Sequence, residues 1–264
     1  MIIVEVFSGL GNQMYQYALY RALQKKVGEK HVYMNKRKKT NRPYELHHFC
    51  VKEHLPPRES MGKIRFKELR ERKIDVYEPK VFDLTNKDSV RVEGHWQQER
   101  YFSSVCSELR EELQPKDPLG PQSMELLNVI DKDENSVSLH IRRGDYLKVN
   151  FPICPLEYYQ AAEKIIADKV SQPHFYIFSD DMAWVKENLH LNFPCTFVDF
   201  NRGSDSWQDM VLMSHCHHHI IANSTFSWWG AWLGNAPDKI VISPKTWFCN
   251  VDPRKMGPAD WIYI

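Results

Sequence analysis

Five short β-rich runs dominate the second half of the chain: VSLHI at residues 137–141, FYIFS at 175–179, TFVDF at 196–200, HIIAN at 219–223 and KIVIS at 239–243. Stretches of helical character separate them. Strands joined by helical crossovers pair in parallel, and a parallel sheet must be covered on both faces. The first 35 residues have the same logic on a smaller scale. Residues 2–6 are apolar, Gly9 and Gly11 punctuate, and Met14, Tyr17, Ala18 and Ala22 fall on one helical face before a second strand, which reads as a βαβ opening. The chain is therefore expected to be α/β, with two modest domains favoured and a parallel, nucleotide-binding sheet in the second half. A polar stretch containing Pro115, Pro118 and Pro121 is the best boundary signal, with a short helix over 124–130 beside it, and the domains are taken as 1–130 and 131–264.

With 264 residues, 42% of them hydrophobic, the chain can bury one or two domain cores at roughly 100–200 residues per domain. Its 35 Lys and Arg nearly balance 34 Asp and Glu, so no overall field draws it to nucleic acid. No apolar run is long enough for a membrane span, and the opening MIIVEVFSG lacks the basic start of a secretory signal. Six Cys without C-x-x-C spacing suggest neither a zinc site nor a disulfide framework, and fit reduced thiols in a cytoplasm. Residues 36–80 are basic, polar and interrupted by Pro, with KRKK at 36–39 and a weak helical period over 63–71. The KRKK run suggests a peripheral membrane contact, although a solvated loop is its more ordinary explanation.

Chemistry concentrates where strands end. Residues 137–141 run into Arg142, Arg143, Gly144, Asp145 and Tyr146, and ligands of open α/β sheets bind beyond the carboxyl ends of strands. Arginine offers a planar, permanently charged fork for phosphate oxygens, and strand alternation points His140 and Arg142 to one side. A structural Arg–Asp pair or an exposed RGD tripeptide are the alternatives. The run ending at Asn223, Ser224 and Thr225 enters an apolar helix, whose N-terminus binds anions through free N–H groups or is simply capped. GLGNQ at 9–13 is not G-x-G-x-x-G, so the dinucleotide fingerprint is absent. Ser179, Asp180 and Asp181 follow a strand and Asp209 opens a helix; such carboxylates accept from a guanine edge or cap helices.

Two features invite a metal. The cluster His215, Cys216, His217, His218 and His219 cannot converge on one ion, because alternate strand residues face opposite sides. Asp131-Lys132-Asp133 has the Asp-x-Asp form but precedes its strand, on the wrong side of the sheet for a nucleotide. Neither is assigned a metal.

FSGLGNQMYQYA at 7–18, GHWQQERYF at 94–102, LHIRRGDY at 139–146, FSDD at 178–181 and IIANSTFSWWGAWLG at 220–234 together resemble the α-1,2-fucosyltransferases, glycosyltransferase family 11. The resemblance covers almost the whole chain, and the order of the motifs is far more specific than any one of them. It implies a GT-B-type architecture of two α/β domains facing a cleft, the C-terminal half binding GDP-β-L-fucose, inversion at the anomeric carbon, and neither cofactor nor divalent ion. It implies that Arg142 contacts the β-phosphate, that His140 helps place the donor, that Asn223, Ser224 and Thr225 line the phosphate site, that Asp209 contacts guanine, and that Asn12 and Gln13 face the cleft. Ser179 and Asp180 join the donor set. His95, Trp96 and Gln97, with Tyr101, are taken as acceptor contacts through exposed aromatic faces, against the commoner explanation of core packing.

The expected reaction is transfer of fucose to the 2-hydroxyl of a terminal β-galactosyl glycan, in a bacterial cytoplasmic enzyme building surface glycans. Asp145, His140 and Glu93 are all conceivable bases, and the sequence does not choose among them. Rival readings are a fucosyltransferase making an α-1,6 or protein-linked product, a non-catalytic GDP-sugar-binding module, and a secreted RGD or His-metal interaction protein.

Overall fold

A computed structural model describes residues 1–37, 42–57, 59, 62, 64–247 and 251–264. Lys38 and Lys39 of the basic run, Lys63 and Cys249 lie outside the described residues. The chain divides into two compact units, Met1–Asp117 and Pro118–Ile264. The division falls in the proline-rich stretch, and the helix that follows it, which the sequence reading grouped with the first 130 residues, belongs to the second unit.

In the first unit β1 (Ile2–Val6) leads into α1 (Leu10–Val27), then β2 (Val32–Lys36), β3 (Lys67–Arg70), β4 (Val90–Glu93) and α2 (Cys106–Glu112). The sheet order is β2-β1-β4-β3, all parallel. Helix α1 is buried far beyond one face, its glutamines included. Gln16 shows why polar residues are tolerated there: its Oε1 accepts the Phe7 N–H at 2.9 Å and its Nε2 donates to the Gly94 carbonyl at 2.9 Å, tying the ends of β1 and β4 together. The weak helical period over 63–71 is overturned, because KELR forms an edge strand. Its residues have helical preference, but the parallel register Lys67↔Val90 to Arg70↔Glu93 supplies hydrogen bonds that outweigh it.

The second unit runs α3 (Pro121–Ile130), β5 (Ser136–Ile141), α4 (Gly144–Val149), α5 (Leu156–Ala167), β6 (His174–Ser179), α6 (Met182–Asn188), β7 (Cys195–Val198), α7 (Trp207–His215), β8 (His218–Ile220), α8 (Thr225–Leu233), β9 (Val241–Ser243) and β10 (Ile262–Tyr263). Each of the five β-rich runs contributes a strand, and the sheet order is β10-β9-β8-β5-β6-β7, all parallel. Alternation sorts the side chains. Val137, Leu139, Phe175 and Ile177 pack in a core with Tyr159 and Ile166 of α5, whereas Tyr176 and Phe178 join Leu212 and Met213 of α7 in a separate cluster. The chain builds outward from β5 through β6 and β7 on one side and through β8, β9 and β10 on the other. The strand order reverses between β5 and β8, and the crevice beyond such a reversal is where open α/β sheets bind ligands.

Among the described residues no helix is long and apolar enough to cross a membrane, and five cysteines are free thiols.

Candidate active site

Beyond the carboxyl ends of β5 and β8, the second unit brings Arg142 and the start of α8 to the two sides of the reversal. Arg142 Nη2 lies 2.8 Å from Asp145, and Nε lies 3.2 Å from Asp180 Oδ2 without the alignment of a hydrogen bond. Asp180 also accepts the Arg143 backbone N–H at 2.9 Å, so it braces the turn from which Arg142 projects. A Cβ at Gly144 would stand 2.9 Å from Asp180 Oδ2, which is why this turn has no side chain there. Asp180 is thus placed as the partner of Arg142, while Ser179 spends its Oγ locally on the Asp181 N–H. Arg143 turns away: its guanidinium stacks 3.5 Å over the Trp184 ring, with Nε 3.3 Å from Asp181. The two neighbouring guanidiniums thus have different partners, Asp145 and Asp180 for Arg142 and Trp184 and Asp181 for Arg143.

His140 is 4% exposed, lies 5.9 Å from the Phe226 ring, and among the described residues its Nδ1 has no hydrogen-bond partner. Burial, then the nearby Arg142, push its pKa down to about 3 although Asp180 opposes them, so the ring is neutral at pH 7 and a weak proton acceptor. Of the other two candidate bases, Asp145 is held by Arg142, and Glu93 of the first unit is held by Arg37 at 2.8 Å.

Helix α8 begins at Ser224, whose Oγ accepts the Phe226 N–H at 3.3 Å. Asn223 is 1% exposed, and its amide is spent inward: Nδ2 donates to the Pro152 carbonyl at 2.8 Å and Oδ1 accepts from the Cys154 thiol at 3.6 Å. Asn223 therefore fastens the 152–154 segment to the β8–α8 turn, and Thr225 opens the first turn of α8. Asp209 stands in the first turn of α7, accepting from Asn201 Nδ2 at 2.8 Å; burial pushes its carboxyl up to about 7.

The first unit holds the remaining predicted residues at the ends of β1 and β4. Gln13 is 1% exposed, with its amide donating to the Ser8 and Pro43 carbonyls and accepting from Glu45 N–H, so it fixes loops. Asn12 accepts from Gln97 Nε2 at 2.7 Å and donates to Ser8 Oγ at 3.0 Å. Among the described residues the Gln97 Oε1 and His95 Nδ1 atoms are buried without a partner, and burial lowers the His95 pKa. Ser8 and Trp96 have φ of 71° and 56°, the left-handed backbone that side chains rarely adopt. The acceptor role of Trp96 does not survive: it is 0% exposed, packed edge-on to Tyr101, itself 1% exposed, so neither ring can stack on a sugar. Core packing won because Glu71 accepts the His95 and Trp96 N–H groups and turns the indole inward.

The histidine cluster disperses. His215 pairs with Asp131, His217 with Asp238, His218 Nδ1 accepts the Ile240 N–H and His219 Nδ1 meets Ser138 Oγ. Asp133 accepts from Tyr176 OH at the amino end of the sheet, and among the described residues no three His, Cys, Asp or Glu side chains gather for a metal. Sequence reasoning assigned Tyr146 nothing, yet its hydroxyl donates to the Asn223 carbonyl at 2.9 Å. The available signal was an aromatic ring inside an otherwise polar strand-end motif.

A reversed parallel sheet with a braced arginine and a helix start at its switch point, preceded by a smaller parallel α/β unit, is the arrangement of a GT-B-like glycosyltransferase. The family model described as Glycosyl transferase family 11 matches residues 1–264, and the chain belongs to that family. It is 30% identical to an O-antigen biosynthesis glycosyltransferase, WbnK, of Escherichia coli, over 97% of this chain and 98% of that one. It is 39% identical to an α-1,2-colitosyltransferase of Escherichia coli over 67% of this chain and 63% of the relative. With a human galactoside α-(1,2)-fucosyltransferase 1 the identity is 25%, over 62% of this chain and 49% of the human one. Among solved structures, that of NodZ α-1,6-fucosyltransferase soaked with GDP-fucose has a TM-score of 0.54 at 12% identity, covering 91% of this chain and 94% of that one; the likeness is one of fold.

Proposed function

We propose that this glycosyltransferase moves L-fucose from GDP-β-L-fucose to the 2-hydroxyl of a terminal β-galactosyl glycan, inverting the anomeric carbon and using no metal ion. The observation that carries the reading is the meeting of Arg142 and the α8 N-terminus across the β5/β8 reversal. Breaking a sugar–phosphate bond leaves negative charge on the departing GDP. A braced guanidinium and unpaired helix N–H groups stabilise that charge where it develops. The Asp145 contact is a partly exposed ion pair, worth up to about 1 kcal/mol, so diphosphate oxygens displace it at little cost. Asp180, less exposed, stays behind as the brace. Asp209 accepts from the guanine N–H groups, and His95, with the Asn12–Gln97 pair, stands on the acceptor side.

The candidate bases are weak or engaged, which suits a reaction in which bond breaking leads and the acceptor proton leaves late. Support for the linkage comes from the α-1,2 in the names of two relatives, and for a role in surface-glycan assembly from the O-antigen relative. The colitosyltransferase likeness favours a second donor reading. Colitose is L-fucose without the 3-hydroxyl, so the two donors present the same diphosphate to Arg142. The test is to offer GDP-fucose and GDP-colitose separately with a β-galactoside and to solve each product by NMR. An α-linked fucose on O2 is expected; preference for GDP-colitose would move the donor assignment, and an α-1,6 product or none would overturn the linkage.

A further inference from the structure

The phosphate-facing groups sit on different strands, so something must hold Arg142 and the α8 start at a fixed separation. The group that spans them is Tyr146 in α4. Its ring lies under the Arg142 guanidinium, with Cζ 5.6 Å from the centroid. Its hydroxyl reaches across the reversal to donate to the Asn223 main-chain carbonyl at 2.9 Å. Ser224 follows in the chain and caps α8 through the Phe226 N–H. A phenol has one proton to give, and the Asn223 carbonyl takes it. The other end of the segment is fixed as well. Phe151 packs edge-on against the Tyr146 ring at 5.4 Å, and the Pro152 carbonyl is held by Asn223. Tyr146 thus touches Arg142 at one strand end and the Asn223 carbonyl of the turn at the other.

We propose that Tyr146 is a positioning residue that sets the distance and angle between the Arg142 guanidinium and the N-terminus of α8, so that both address one diphosphate. The proposal rests on the GDP-sugar reading of the site. Tyr146 touches neither base nor sugar in this scheme; it acts through the two groups it joins. Loss of the hydroxyl unhooks the bridge while keeping the ring beneath Arg142, and loss of the ring removes both.

The experiment compares GDP and guanosine binding by calorimetry for the wild type, Tyr146→Phe, Arg142→Ala and the double variant, with kcat and KM from GDP-fucose alongside. A positioning role predicts that Y146F weakens GDP about tenfold and leaves guanosine unchanged, because the base contacts lie elsewhere. It predicts a fall in kcat with little change in acceptor KM, and no further loss of GDP affinity when Y146F is added to R142A. If Y146F binds GDP like the wild type, or weakens GDP and guanosine by the same factor through general loosening, or adds its full effect to R142A, the proposal is overturned. A wild type that binds GDP no better than guanosine contradicts the diphosphate site itself, and that outcome is separate from any result with Tyr146.

Discussion

Arg142 is one cation among two carboxylates, and that ratio decides how the residue behaves. Asp180 fixes its direction and Asp145 occupies it until a stronger anion arrives. Arg142→Ala is therefore expected to lower turnover on the order of a hundredfold or more, as losing one oxyanion donor commonly does, and Arg142→Lys to restore charge but not the fork. Gly144→Ala drives a methyl into Asp180 Oδ2, so steady-state kinetics should show a loss of kcat larger than its modest effect on melting temperature. Asp209 carries the pH dependence. Its free carboxyl is held up to about 7, and the proposed contact with guanine N–H donors requires the carboxylate, so on that proposal binding GDP expels a proton. Affinity for GDP should rise with pH up to about 7 and level off above it, and Asp209→Asn should flatten the profile. The folded-state pKa is raised, so the native protein holds the proton more tightly than the unfolded chain, and this group costs stability increasingly from about 4, the ordinary Asp value, to 7. Asp209→Asn should accordingly melt higher than the wild type at pH 8. The places of Arg142 beyond β5, of Asp209 in the first turn of α7 and of the β8–α8 turn were legible because charge and chain turns are written in sequence. The burial of Trp96 and the bridging by Tyr146 were not, since an aromatic residue reads alike whether it faces solvent, core or a neighbouring guanidinium.

Helix α8 owes its start to Ser224, which satisfies one of the orphan N–H groups while the first turn faces the crevice. Replacing a capping serine by alanine costs about 1 kcal/mol, so Ser224→Ala is expected to lower the melting temperature by about 2–4 °C. Differential scanning calorimetry checks this. The elements most readable in advance were the strands of the second unit, whose β-branched and aromatic runs are bounded by polar turns. Strand β3 was misread for a physical reason: an exposed edge strand has no apolar alternation to display, and KELR acquires its conformation only by pairing with β4. Gln13 shows the complementary case. A glutamine after a glycine turn resembles a ligand contact, but its amide is consumed by Ser8 and by Pro43 and Glu45, two chain segments that no local pattern links.

Across the molecule, the α/β class with a parallel sheet in each half was readable from strand–helix alternation, and membership of family 11 from five ordered motifs. The division between the units was signalled by prolines, while the attachment of α3 to the second unit depends on packing against α7 that spacing does not reveal. In the proposed reaction Arg142 and the α8 N-terminus stabilise departing GDP without a metal ion. This is tested most directly by following GDP release from GDP-fucose in EDTA, with and without a β-galactoside, for the wild type and Arg142→Ala. Acceptor-dependent release that persists in EDTA and collapses in the variant is expected. Release that stops in EDTA and returns with a divalent cation, or an Arg142→Ala protein that turns over like the wild type, would contradict the proposal.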